Sequence, residues 1–180
     1  MDNNKTRELT LISLLSVIIA ISGIFKLPGI IPGTEFQMSA PIAIGICATF
    51  GFKRYIFSGI IASFINILMG THTILNVIIS MTFRIVGGGL IGMLGTSIIV
   101  VTLAGAVGTF AGRIVMSFIT GTAFKALIIA ASVGMLYTAI SSYVIFKLIK
   151  NITIKTPYKN FIASKLKKDN IGVKNNYESI

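Results

Sequence analysis

The sequence predicts an all-α integral membrane protein, a bundle of six transmembrane helices with both termini on the cytoplasmic side. Only 12% of its 180 residues are charged, whereas a soluble domain averages about 25%. The mean hydropathy is +0.89, and apolar runs without any charge alternate with short turn-forming segments. Buried helices of a soluble protein would need polar outer faces, which these runs lack.

Turn residues and charges divide the chain into six apolar spans. The first two are separated by Lys26–Gln37, where Pro28, Gly29, Pro32 and Gly33 prevent a continuous helix and indicate an ordered loop of about a dozen residues. The second and third spans are the shortest. The predicted spans are residues 9–25, 38–52, 55–69, 74–94, 98–119 and 124–146.

The distribution of basic residues predicts the orientation. With the N-terminus inside, Lys5, Arg7, Lys53 and Arg54 fall on the inner side together with the C-terminal lysines, as the positive-inside rule requires. We therefore interpret the formal net charge of +11 as a flank facing anionic lipid rather than nucleic acid. Residues 1–150 form the predicted membrane domain in the bacterial cytoplasmic membrane, and residues 151–180 form a basic, largely disordered cytoplasmic tail.

Two arginines stand inside otherwise uncharged spans. Arg84 and Arg113 would each cost roughly 2.5–3.5 kcal/mol near the bilayer centre, so each should face a cavity, a partner or a ligand. Asn76 and Ser80 share a helix face with Arg84, and Thr109 shares one with Arg113. These stripes predict a common polar space in which all five residues bind substrate. The alternative is that the arginines bond backbone carbonyls or extend to the interface.

The charge of the arginines favours an anionic ligand. A guanidinium in a dry pocket suits a carboxylate or a phosphate. In the membrane domain only one acid, Glu35, lies near the outer side, and one acid balances two arginines poorly. Glu35 and Gln37 belong to the loop that would fold over the outer mouth, so they are further candidate substrate-binding residues.

Catalytic and metal-binding motifs are missing from the sequence. One histidine, one cysteine and five acids provide no nucleophile–base pair, paired carboxylates or metal cluster, and no phosphate-binding loop occurs. We therefore expect neither an enzyme nor a bound cofactor or metal. Energy for active transport would come from another subunit or an ion gradient.

Over about residues 5–150 the chain resembles the substrate-binding S components of energy-coupling factor (ECF) transporters. The resemblance rests on six helices in a 19.3 kDa protein, the long first outer loop and the basic Lys53-Arg54 turn. In that family an Ala-x-x-x-Ala motif of the first helix docks onto a transmembrane coupling subunit. The nearest match is Ser16-Val17-Ile18-Ile19-Ala20, and Ser13 and Gly23 keep the same face small. The resemblance thus implies a coupling-subunit interface at Ser13, Ser16, Ala20 and Gly23.

Two segments, residues 108–115 and 134–139, resemble the tryptophan-transporter branch of these proteins. The resemblance implies ATP-driven uptake of a small nutrient, such as a vitamin, a heterocycle or an anionic amino acid like tryptophan. The implied partners are the coupling subunit and two ATPase subunits. Alternatives are a stand-alone secondary transporter and a membrane accessory protein that transports nothing.

Overall fold

The computed structural model describes residues 3–28 and 35–163, and it confirms the all-α class with six helices. A small antiparallel hairpin lies between the first two helices, and a short 3-10 helix, Pro157–Phe161, follows the sixth. The helices and strands are α1 (Asn3–Ile24), β1 (Lys26–Pro28), β2 (Glu35–Gln37), α2 (Ser39–Phe50), α3 (Phe52–Leu68), α4 (Ile74–Leu94), α5 (Ile98–Thr120) and α6 (Phe124–Ile154).

Helix α2 is the central helix and packs against each of the other five. It is apolar on every side, and Pro41 and residues 43–50 are all buried, as expected of a helix surrounded by protein. Its 12 residues extend about 18 Å, which is less than the thickness of the bilayer core. The helix is also shorter than the predicted span, which has 15 residues. Helices α1, α4, α5 and α6 are long and apolar enough to cross a membrane, whereas α3 has 17 residues.

A single glycine separates α2 from α3. Gly51 caps both helices with φ +88°, a conformation that residues with a Cβ rarely adopt. As a result Lys53 and Arg54, expected in a turn between spans, lie in the first turn of α3.

Glycines allow α4 and α5 to approach each other closely. A Cβ on Gly87 would lie 2.7 Å from the carbonyl oxygen of Ala104, and one on Gly108 would lie 3.0 Å from that of Phe83. A Cβ on Gly112 would lie 3.1 Å from the Ile79 side chain. Gly108 and Gly112, four residues apart on one face of α5, thus lie at a close helix–helix contact.

The hairpin marks one end of the bundle, called here the hairpin end. Strand β1 pairs antiparallel with β2, with Lys26 opposite Gln37 and Pro28 opposite Glu35. The predicted long loop therefore contains two short strands, and its residues 29–34 lie outside the described part. Helix α1 ends and helix α2 begins at this end of the bundle. The α3–α4 and α5–α6 connections also lie here.

At the opposite end the structure differs from the predicted domain boundary at residue 150. Helix α6 continues through that position to Ile154, and the 3-10 helix folds back so that the Ala163 N–H donates to the Thr49 carbonyl at 2.9 Å. Tyr158, Phe161 and Ile162 are apolar enough to pack on the core, which explains why this stretch is ordered. Residues 164–180 lie outside the described part.

Arg54 joins four segments at this end. Its Nε donates to Glu8 of α1 at 2.7 Å, and its Nη1 donates to the carbonyls of Phe50 and Phe161 at 3.2 and 3.0 Å. The guanidinium also lies 5.2 Å from the centre of the Phe161 ring. We call this group, Glu8, Arg54 and Phe161, the basal clamp.

Candidate substrate-binding site

A cavity of about 210 Å³ lies between α2, α4, α5 and α6, in the half of the bundle nearer the hairpin. Its volume is somewhat below the roughly 300–1,000 Å³ typical of pockets for drug-sized ligands, so it suits a small molecule. The cavity is lined by Ser39, Ala40, Ala43, Asn76, Ile79, Ser80, Phe83, Arg84, Gly108, Thr109, Gly112, Arg113, Met116, Ala131, Gly134 and Thr138.

Small residues create this space. Ala40 and Ala43 of α2, Gly108 of α5, and Ala131 and Gly134 of α6 bring backbone rather than large side chains to the cavity wall. The same glycine row that lets α4 and α5 touch thus leaves room beside their contact.

Arg84 is largely taken up by the α3–α4 interface. It is 7% exposed, and its Nη1 donates to Ser80 at 2.9 Å and to Ser63 of α3 at 3.1 Å. The side chain lies directly across Gly59, where an added Cβ would clash with Nε. Nε is buried without a hydrogen-bond partner among the described residues, so part of this guanidinium is not satisfied by the protein.

Arg113 is more open to the cavity. It is half-buried, and among the described residues its guanidinium makes one hydrogen bond, from Nη1 to the Met116 sulfur at 3.4 Å. A thioether is a weak acceptor, so most of the donor capacity of Arg113 remains available.

Three hydroxyl groups on the cavity wall have already committed their protons. Ser80, Thr109 and Thr138 donate to the carbonyls of Val77, Gly105 and Gly134 at 2.9, 2.9 and 2.8 Å. A hydroxyl that donates to its own helix offers only lone pairs to a neighbour, so these groups act as acceptors toward a ligand. The half-buried Asn76 amide can both donate and accept.

The structure brings Asn76, Ser80, Arg84, Thr109 and Arg113 together around one cavity. Glu35 and Gln37 lie in β2 at the hairpin end, and only their backbone is described. That any of these seven residues contacts a ligand stays a prediction.

Sequence reasoning missed part of the lining. Ser39, Met116 and Thr138 border the cavity but were not among the candidates. A signal existed for Thr138, because Gly134, Thr138 and Ser142 recur every four residues and mark one face of an apolar helix. No comparable pattern singles out Ser39, which depends on how α2 meets the hairpin.

Three of the four residues in the predicted docking face of α1 are buried. Ser16 is 0% and Ala20 is 3% exposed, and Gly23 is buried beneath Asn66 and His72. These three residues pack against the chain's own helices, so they cannot touch another subunit in this conformation. Ser13 is exposed, on the face that also carries Leu14, Val17, Ile18 and Ile21.

The lining residues give the cavity a positive charge. They include two arginines and no aspartate or glutamate, and the described residues contain no cluster of histidine, cysteine or acids that could hold a metal ion. The arrangement can therefore bind an anionic group by charge-assisted hydrogen bonds and accept N–H donors beside it.

Comparisons with known proteins identify relatives of the chain and its fold. No family model matches the sequence. Protein BioX of Lysinibacillus sphaericus is 51% identical over 151 residues, which cover 84% of this chain and 91% of that protein.

A solved structure, the S-component for biotin from an ECF-type ABC transporter, superposes with a TM-score of 0.67. The match covers 91% of this chain and 99% of that one at 18% identity, so it establishes the fold alone. The fold is that of an S component, a multi-pass membrane protein. The resemblance to the tryptophan-transporter branch is not supported and is replaced by this likeness to a biotin component.

Proposed function

The chain belongs to the family of Protein BioX, and on that premise we propose that it is the substrate-binding S component of an ECF-type importer, with biotin as its ligand. The observation that carries this proposal is a positively charged cavity beneath the hairpin in an S-component fold. Biotin combines a carboxylate on a flexible apolar chain with a ureido ring, and the cavity offers a complement to each part.

We assign the carboxylate to Arg113. Its guanidinium has the larger unused donor capacity of the two arginines and is the less buried one. Arginine binds a carboxylate through two parallel hydrogen bonds, which fix both the position and the orientation of the acid.

The ureido ring would bind at the hydroxyl groups of α4, α5 and α6. Its N–H groups need acceptors, which Thr109 and Thr138 supply because their protons are bound to their own helices. The ring carbonyl needs a donor, which the Asn76 amide can provide. The apolar chain of biotin would lie against Ala40, Ala43 and Phe83.

The S-component fold supports a proposal for the partners. An S component has no ATPase of its own, so we propose assembly with a transmembrane coupling subunit and two ATPase subunits. In this chain the available face of α1 is the exposed one around Ser13 and Val17 rather than the buried row of Ser16 and Ala20.

The first experiment measures binding of biotin, biotin amide and tryptophan to the purified protein by isothermal titration calorimetry. Biotin should bind, and the amide should bind about 10–100-fold more weakly because it loses a charge-assisted pair worth roughly 1.5–3 kcal/mol. Tryptophan should bind far more weakly than biotin. Absence of biotin binding to folded protein would refute the proposed ligand.

The second experiment places that difference on Arg113. In Arg113→Ala the preference for biotin over its amide should disappear, whereas Lys125→Gln, an exposed charge removed at the same end of the bundle, should keep it. An amide preference that survives Arg113→Ala would show that another group holds the carboxylate.

The importer role is tested by ATP-driven uptake. Proteoliposomes that contain this protein with a coupling subunit and ATPases should accumulate biotin only when ATP is enclosed in the lumen, on the same side of the membrane as the ATPases. Uptake by this protein alone along an ion gradient would instead favour a secondary transporter.

A further inference from the structure

The cavity holds one more positive charge than a ligand with a single carboxylate can balance. Arg84 and Arg113 both border it, and none of the described residues that line it is acidic. Glu8, an acid that the structure describes in α1, is paired with Arg54 at the other end of the bundle. A buried charge without a counter-charge is costly, so an occupant that neutralises both arginines gains over one that neutralises either.

Both guanidiniums retain donors for an anion. The hydrogen bonds of Arg84 to described residues all use Nη1, and Nη2 makes none within that part of the chain. Arg113 donates one hydrogen bond, to the thioether sulfur of Met116. Each arginine can therefore donate to a carboxylate without losing its present protein contacts to Ser63, Ser80 or Met116.

The packing of α4 on α5 sets the separation of the two charges. Gly112 lies against Ile79 and Gly108 against Phe83, so Arg113 is level with the early turns of α4, whereas Arg84 is level with Gly108. About five residues of helix separate these levels, which corresponds to about 8 Å along the bundle. The two anion-binding positions thus lie one beneath the other rather than side by side.

We infer that this cavity binds linear acids with an anionic group at each end, one on Arg113 and one on Arg84, and prefers them to monoacids of equal length. This inference rests on the proposed role of the cavity as the ligand site of an S component and refines its ligand class. Biotin, with one carboxylate, would occupy Arg113 and leave the charge of Arg84 unbalanced.

The test is a calorimetric titration of the purified protein with linear saturated dicarboxylates from succinate to sebacate, each beside the monocarboxylate of equal carbon number, with biotin as reference. Affinity should pass through a maximum at an intermediate chain length. At that length the dicarboxylate should bind at least about tenfold more tightly than its monoamide, since a charge-assisted pair is lost. This comparison needs no protein variant and cannot be confused with misfolding.

Arg84→Gln then locates the second anion. The variant should reduce the tenfold preference for the dicarboxylate over its monoamide to about onefold, and Lys125→Gln should preserve that preference. Equal affinity for dicarboxylates and monoamides at every length would overturn the inference, while biotin binding in the same experiment would leave the proposed function intact. If biotin and all of the acids fail to bind folded protein, both proposals are refuted.

Discussion

Arg84 and Arg113 look alike in the sequence, but the structure gives them different surroundings. Arg84 crosses to α3 and bonds Ser63, whereas Arg113 stays beside its own helix with a thioether as acceptor. The two roles considered for each arginine, a contact within the protein and a place beside a ligand, therefore apply to the two residues unequally. Arg84 has a structural contact in addition to the cavity, and Arg113 faces the cavity with most of its donors unused by the part of the chain that the structure describes.

Gly59 determines where Arg84 lies. An added Cβ would clash with Arg84 Nε, so Gly59→Ala should push the guanidinium away from Ser63. We expect a loss of about 1–3 kcal/mol in the free energy of unfolding, seen as a lower melting temperature in detergent. In an Arg84→Ala background the same substitution should cost almost nothing, because the atoms it displaces are gone.

The matched control is Gly89→Ala on α4, where nothing lies within 4 Å of an added Cβ. It should change stability little in either background. Equal losses from Gly59→Ala with and without Arg84 would show that the glycine is required for another reason.

At the scale of the elements, the basal clamp explains why the sequence boundary at residue 150 differs from the structural one. Two chain segments distant in sequence, the start of α1 and the 3-10 helix, converge on Arg54, and the 3-10 helix supplies one of the carbonyls that it binds. The six lysines among residues 151–180 predict a solvated tail. The few apolar residues among them decide its position, because they can pack on the core.

Removal of the clamp should loosen this end of the bundle. Arg54→Ala leaves the Phe161 and Phe50 carbonyls without their charged donor and Glu8 without its partner. We expect a loss of about 1–3 kcal/mol in stability, measured as the melting temperature together with faster amide exchange at residues 157–163.

The control for this substitution is Lys53→Ala, the neighbouring exposed charge. It should leave both the melting temperature and the exchange rates near those of the unchanged protein. Unaltered exchange in Arg54→Ala would mean that apolar packing alone holds the 3-10 helix.

At the scale of the whole molecule, the two ends of the bundle contain different features. The cavity occupies the hairpin half, and the clamp joins the helices at the other end. Helices α1 and α3 contribute nothing to the cavity wall within the described residues, so the cavity lies on the side of the bundle formed by α2, α4, α5 and α6.

The two faces of α1 should respond differently to substitution. Ser16→Leu places a larger side chain at a fully buried position and should destabilise the protein by about 1–3 kcal/mol. Leu14→Ala, at a position 50% exposed, should leave the melting temperature nearly unchanged but reduce the amount of coupling subunit that copurifies. If folded Ser16 variants lose the coupling subunit and Leu14→Ala keeps it, the docking surface is instead the buried row that contains Ser16.

The sequence alone determined the class of this protein and the elements that carry its site. Charge depletion and uninterrupted apolar runs are local properties, so the helix count and the stripes of Asn76, Ser80, Arg84, Thr109 and Arg113 could be read directly. The length of α2 was overestimated because burial by protein and burial by lipid select the same apolar residues.

Only the tertiary structure decided which faces meet. The small face of α1 turns inward, Ser39 and Thr138 border the cavity, and Arg84 lies between α3 and the cavity. Such outcomes depend on contacts between residues far apart in the chain, and periodicity within a single helix shows that a face is special without showing what it touches.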